Sequence, residues 1–156
     1  MGKAQRERWQ ANVTDIAWAA GILDGEGCIR IKRNNLKKKT IHYGLEVSVK
    51  MVDKATIERL KELFPDCSIY TERSSRGYLF YRWCVFGETA SEILEEMLPY
   101  LVTKKDQAEL AIEFIEMGKE PGRHLNGRLP EGVNDIREDM FLRLKDLKRK
   151  HLLEVK

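Results

Sequence analysis

The chain has 156 residues, 42% of them hydrophobic and 34% charged, with a formal net charge of +3. That length suits one domain with a sizeable core. The apolar stretches are too short to cross a bilayer, and the polar opening "MGKAQRERWQANVTD" lacks the apolar centre of a secretory signal. Cys28, Cys67 and Cys84 form no CxxC pair and leave an odd count, while His42, His124 and His151 are dispersed. This spacing argues against a disulfide framework or a zinc site, and an intracellular chain with reduced cysteines is expected.

Residues 15–25 read as a short helix that Thr14 or Asp15 can cap and that Gly25 and Gly27 end. "CIRIKR" (28–33) alternates apolar and basic residues, the pattern of a strand with one buried face. After the polar "NNLKKKT", the segment "HYGLEVSVKM" (42–51) alternates again. It turns Tyr43, Leu45, Val47 and Val49 inward and His42, Glu46, Ser48 and Lys50 outward. Asp53 caps a helix carrying Ile57, Leu60, Leu63 and Phe64, which Pro65 stops. The order then recurs: "CSIYTER" (67–73) is a strand, "SSRG" a turn and "YLFYRWCVFG" (78–87) a strand. "ETASEILEEMLPYL" (88–101) follows as a helix with Ala90, Ile93, Leu94, Met97 and Leu98 inward. A further amphipathic helix starts near Thr103, with Leu110, Ile112, Phe114 and Ile115 as its apolar residues. "GKEPGRHLNGRLPEG" is a turn-rich loop. The last helix, about 133–154, has Ile136, Met140, Leu144, Leu147 and Val155 as its apolar stripe.

Strand-strand-helix occurring twice after an opening helix predicts an α+β fold. Two hairpins pair into an antiparallel four-stranded sheet with helices on one face and extra helical structure at the C-terminal end. The expected organisation is a single domain: an N-terminal arm (1–14), a core (15–117), a loop (118–132) and a C-terminal helix (133–156) packed on the core. The period-two rule assigns Arg30, Lys32, His42, Glu46, Ser48 and Lys50 to the uncovered face, with Ser68, Tyr70, Glu72, Phe80, Arg82 and Cys84 from the second hairpin. Charge is segregated as well. Between Cys28 and Met51, Arg30, Lys32, Arg33, Lys37, Lys38, Lys39 and Lys50 outnumber a single acid, Glu46, whereas residues 88–120 are predominantly acidic. A localised positive face of this kind suits a polyanionic partner, and Arg73 and Arg76 extend it at the second hairpin.

On the opening helix Ala17, Ala20, Gly21 and Asp24 fall at i, i+3, i+4 and i+7 and share one side. Trp18, Ile22 and Leu23 lie on other sides and can anchor the helix in its own core. Side chains so small let another helix approach almost to backbone contact. Two readings stand: a tightly packed intramolecular helix, or a two-fold contact that brings two copies of "DGEG" together.

"AAGILDGEG" (19–27) resembles the signature of the LAGLIDADG homing endonucleases. Ala19 replaces the first leucine, Ile22 and Leu23 stand for leucine and isoleucine, Gly25 for alanine and Glu26 for the second aspartate. The αββαββα order is similar to that family's fold, and "LPYLVTKKDQAEL" (98–110) resembles the start of its later helix, with a lysine and a glutamine. The similarity spans roughly residues 15–117. It implies a site-specific double-strand DNA endonuclease that hydrolyses phosphodiester bonds. A single motif copy implies a homodimer on a long pseudo-palindromic target.

By the same resemblance Glu26, assisted by the carbonyl of Gly25, binds the divalent metal. Lys50 sits near the scissile phosphate and Lys104 helps organise the nucleophilic water. Asp24 caps and shapes the helix end and joins Ala17, Ala20 and Gly21 at the dimer interface. Mg²⁺ or Mn²⁺ is the expected cofactor, with Ca²⁺ binding but not supporting cleavage. The chemistry is independently reasonable, because hard cations held by carboxylates activate water and stabilise a leaving oxygen. The sheet face and its flanking cations (Arg33, Lys37, Lys38, Lys39, Arg73 and Arg76) become the expected DNA contacts. No membrane and no small-molecule substrate is expected, and the expected location is cytoplasm or nucleoid, or an organelle matrix if organelle-encoded. Two other functions keep the fold and drop cleavage: an RNA-splicing maturase or a DNA-binding regulator. A third, a generic helix-dimer interaction protein, explains neither the charge segregation nor the acidic turn.

Overall fold

The computed structural model describes Trp9 and residues 11–35, 41–119 and 132–153. Lys37, Lys38 and Lys39, most of the N-terminal arm, most of the 118–132 loop and Val155 lie outside the described residues.

Helix α1 spans Val13–Glu26 and is longer at both ends than the sequence pattern suggests. Asn12, not Thr14 or Asp15, is its N-cap. The Asn12 side chain accepts from the Asp15 amide while Asp15 accepts from the Asn12 amide, a reciprocal capping box. Its buried side holds Ile16, Ala19, Ala20 and Leu23, with Ile22 half-buried beside them. Trp18, expected in the core, is exposed. The helix passes straight into strand β1 (Gly27–Asn35) without a loop. This junction requires glycine at position 27: a Cβ there would lie 2.6 Å from the Leu23 carbonyl oxygen and 2.3 Å from Leu23 Cδ1. Gly25, in contrast, is an ordinary residue of the last helical turn.

Strand β2 (Ile41–Met51) pairs antiparallel with β1, Gly27 opposite Val49 and Asn35 opposite Ile41. Asp53 caps α2 (Lys54–Leu63), as its position before the apolar repeat indicates. Strands β3 (Ser68–Arg73) and β4 (Leu79–Phe86) form the second hairpin, turning through Gly77 at φ +87°, a left-handed conformation that glycine adopts without strain. Helix α3 (Gly87–Met97), a 3₁₀ turn (Leu98–Tyr100), α4 (Lys105–Met117) and α5 (Val133–Leu153) complete the order. The sheet runs β1-β2-β4-β3, antiparallel throughout, so the fold is the expected α+β arrangement.

Alternation along the strands decides what is buried. Ile29, Ile31, Leu45, Val47, Val49, Trp83 and Val85 point to the helical side and join Leu60, Phe64, Ile93 and Leu94 in one core. Each such aliphatic side chain contributes roughly 1.5–3 kcal/mol through burial. Trp9, upstream of α1, packs edge-on against Phe64 (centroids 5.7 Å apart), which in turn meets Trp83. Helix α5 packs on α4 and along β1, the edge strand. Its buried residues are Arg137, Met140 and Leu144, whereas Ile136, expected in the apolar stripe, is exposed. No helix of the described residues is long and apolar enough to cross a membrane.

Candidate active site and nucleic-acid interface

The end of α1 is tied to the start of α4. Lys104, the N-cap of α4, makes no side-chain cap of its own. Asp24 takes that place from a distance of 80 positions in sequence: its carboxylate accepts from the amides of Val102 (2.8 Å) and Lys104 (3.0 Å). The Lys104 ammonium then donates back to the Asp24 carbonyl at 2.7 Å. Asp24 is thus bonded within its own chain, capping α4 and not α1. Burial lowers the Lys104 pKa below the ordinary lysine value, and the nearby Asp24 charge opposes that shift. Glu26, the last residue of α1, is exposed. The Gly25 carbonyl lies in the final turn, where helix carbonyls lack an intrahelical partner.

Lys50 reaches the same end of the sheet by register. Gly27 pairs with Val49, so Glu26 and Lys50 stand opposite each other one step beyond the ladder. Its side chain turns the other way, however. The ammonium pairs with Glu72 at 2.6 Å and lies 5.0 Å from the Phe80 ring centroid. The Glu72 carboxyl is held below the ordinary glutamate value, first by the Lys50 hydrogen bond and charge.

The open face of the sheet carries the residues that alternation assigns to it, in cross-strand rows: Arg30–Glu46–Phe86, Cys28–Ser48–Cys84–Ser68 and Lys50–Arg82–Tyr70. Ser48 and Cys84 are short and sink between longer neighbours. Tyr70, Phe86 and His42 are exposed. Glu46, expected to reach the DNA, is instead only 1% exposed. Arg30 donates to its Oε1 at 3.1 Å, Arg82 donates to the same oxygen, and Lys32 pairs with Oε2. Burial alone would raise the Glu46 pKa, but Lys32, Arg30 and Arg82 together lower it. One buried anion therefore gathers three cations at the centre of the face, leaving an excess of positive charge directed outward.

Several expected contacts lie elsewhere. Arg33 has the opposite parity, pairs with Glu138 of α5 at 2.5 Å and sits 5.0 Å from the Phe141 ring centroid. Arg73 donates to the Gly77 carbonyl and holds the β3–β4 turn, where Arg76 is exposed. Phe86 and Cys28 belong to the open face but escape the sequence reading. The signal for both was the same alternation, carried one step past Cys84 and Arg30.

On α1, Ala20 is fully buried within the chain, so it cannot serve an intermolecular contact. Gly21 is exposed, and Ala17 is half-buried beside exposed Val13 and Trp18. Among the described residues no three His, Cys, Asp or Glu side chains converge on a metal-sized site. Glu26 and the Gly25 carbonyl nevertheless offer hard oxygen donors, the type Mg²⁺ accepts, and form part of a coordination shell.

The LAGLIDADG endonuclease family model matches residues 19–113. The DNA endonuclease I-CvuI of Chlorella vulgaris is 29% identical over 105 residues, a match spanning 65% of this chain and 63% of that relative. The crystal structure of I-CvuI in complex with its target in the presence of calcium superposes with a TM-score of 0.69 at 19% identity, covering 87% of this chain and 85% of that one. The archaeal intron-encoded homing endonuclease I-Vdi141I, complexed with DNA, gives a TM-score of 0.70 at 14% identity, over 86% and 84% of the two chains. The LAGLIDADG homing endonuclease I-GzeII, in complex with its DNA target, gives 0.63 at 21% identity, over 86% of this chain but 43% of its own. With the small-residue helix, the acidic helix end and the two hairpins in the order that the motif leads one to expect, and with the family model covering most of α1–α4, the chain belongs to the LAGLIDADG endonuclease family.

Proposed function

We propose that the chain is a site-specific DNA endonuclease that works as a homodimer with a divalent cation, Mg²⁺ by preference. The observation that carries this reading is the corner itself. Exposed Glu26 lies two residues from Asp24, whose clamp fixes Lys104 next to it, at one end of an open, cation-rich sheet. The face is suited to DNA, since guanidinium and ammonium groups meet phosphates and base edges while Tyr70 and Phe86 offer flat apolar contact.

The homodimer is supported by the exposed strip of α1, where Gly21 offers no side chain to hold a second helix away. A contact along the exposed side of α1, centred on Gly21, would bring two Glu26 carboxylates together, one toward each DNA strand. Glu26 and the Gly25 carbonyl would hold the cation, with the second copy and phosphate oxygens completing its shell. Such a cation, when bound, supplies the charge that activates water and steadies the leaving oxygen. The chain's own groups do the rest: the open face orients the duplex, and Lys104 directs an ammonium toward negative charge developing on the phosphate.

Glu26→Gln tests the reading on a duplex selected from a randomised library by the wild-type chain. Single-turnover cleavage of both strands should fall by about a hundredfold or more while duplex affinity stays within about threefold. Undiminished cleavage would remove Glu26 from the chemistry.

A further inference from the structure

Helix α5 is electrically divided. Its first half carries Asp135, Glu138 and Asp139, with buried Arg137 as the one described base among them; its second half carries Arg143, Lys145, Lys148, Arg149 and Lys150, with Asp146 as the one acid among them. The acidic half is the docking half. Glu138 accepts from Arg33 and from the Tyr43 hydroxyl, each at 2.5 Å, and Met140 and Leu144 are buried against the core. Burial and then the Glu138 hydrogen bond push the Tyr43 pKa up to about 12, so the hydroxyl stays a donor.

This docking lays α5 antiparallel along edge strand β1, with residue 138 beside Arg33 and residue 148 beside Cys28. The Lys148 ammonium lies 3.5 Å from Cys28 Sγ, and Cys28 faces the open side two residues after Glu26. No carboxylate of a described residue pairs with Lys148. Burial first, and more weakly the Lys148 charge, lower the Lys104 pKa, so the two ammonium groups act on each other at this corner. Two like charges therefore lie near the Glu26 end of β1, Lys104 held by the Asp24 carbonyl and Lys148 beside Cys28, and neither forms a salt bridge with a carboxylate of the described residues. Such repulsion opposes folding and is relieved when an anion enters between or above them.

We propose that Lys148 is a phosphate-binding residue of the cleavage corner, so that α5 extends the DNA interface past the edge of the sheet. This rests on the endonuclease reading above. The half-buried stem of Lys148 fixes the helix position while its head reaches the backbone next to the cut.

The test uses the full chain as wild type, Lys148→Ala and Lys148→Arg, with duplexes selected from a randomised library by the wild type. In a second set each phosphate around the cut is replaced, one at a time, by a neutral methylphosphonate. Lys148→Ala should slow single-turnover cleavage about tenfold and reduce the salt dependence of binding by about one counterion. Lys148→Arg should restore most of the rate. Neutralising one linkage beside the cut should cost the wild type about tenfold and Lys148→Ala nothing further, because the two changes remove the same contact. Wild-type rates in Lys148→Ala, or identical methylphosphonate profiles in both proteins, would overturn the proposal. So would a loss of cleavage that tracks a lowered melting temperature and that Lys148→Arg fails to repair. A wild-type chain that cuts no duplex would instead overturn the endonuclease reading itself.

Discussion

Glu46 shows how one buried residue organises an exposed surface. Its carboxylate lies beneath Arg30, Lys32 and Arg82 and limits where their charged ends can go. Glu46→Gln removes the anion but keeps the volume, leaving three cations clustered around a neutral amide. Stability should fall by about 1–3 kcal/mol, the lower part of the range for buried pairs because the cations are partly solvated. The pH dependence follows from the lowered Glu46 pKa. A carboxyl whose folded pKa lies below its unfolded value stabilises the fold above the ordinary glutamate range. That contribution disappears as pH falls through the lowered value. Thermal melts of wild type and Glu46→Gln should therefore differ at neutral pH and converge on acidification; a constant gap would show that the carboxylate charge is not the cause. Alternation alone places Glu46 on the outer face. Its burial was not legible, because it depends on cations from β1 and β4 meeting across β2, and that meeting needs the register of both ladders.

At the scale of elements, the join between α1 and α4 holds the site together. Asp24 accepts from two amides that would otherwise be unsatisfied at the start of α4 and receives Lys104 on its own carbonyl. Asp24→Ala should cost about 1–2 kcal/mol, equivalent to a fall of roughly 3–6 °C in melting temperature for a chain of this size. Cleavage measured well below the transition should fall much further than the unfolded fraction explains, since the Lys104 amide loses the carboxylate that anchors it while only the carbonyl contact of its ammonium remains. If activity tracks only the folded fraction, the clamp is structural and nothing more. The elements themselves were largely readable: alternation marks four strands, and Asp53, Pro65 and the apolar repeats mark the helices. The sides of α1 were harder. Helical spacing groups Ala17 with Ala20, yet only Ala20 is wholly buried, and it leaves Trp18 exposed beside Gly21. Which side of a small-residue helix meets the core depends on partners distant in sequence, here β2 and α3. The long reach from Asp24 to Lys104 was hidden for the same reason.

For the whole molecule, the fold places exposed Glu26 and the Asp24–Lys104 clamp at one end of the open face, beside an exposed strip of α1. On the proposed reading each copy presents one Glu26 there, so cutting both strands in one encounter would call for two copies. Gly21 allows this to be tested without disturbing the monomer. A Cβ added at Gly21 meets nothing within 4 Å in its own chain, and glycine in a helix interior is about 1 kcal/mol less favourable than a good helix former. Gly21→Gln should therefore leave the isolated chain at least as stable as the wild type. In a close α1–α1 contact the same side chain would fill the space the partner helix needs. Sedimentation equilibrium should show the wild type associating with rising concentration and the variant remaining monomeric or weakening by about tenfold or more. The wild-type melting temperature should rise with protein concentration, because association stabilises the folded state by mass action, and the variant's should not. Double-strand cleavage by the variant should collapse together with its self-association. A Gly21→Gln chain that dimerises and cuts as the wild type does would place the two-fold contact on some other surface.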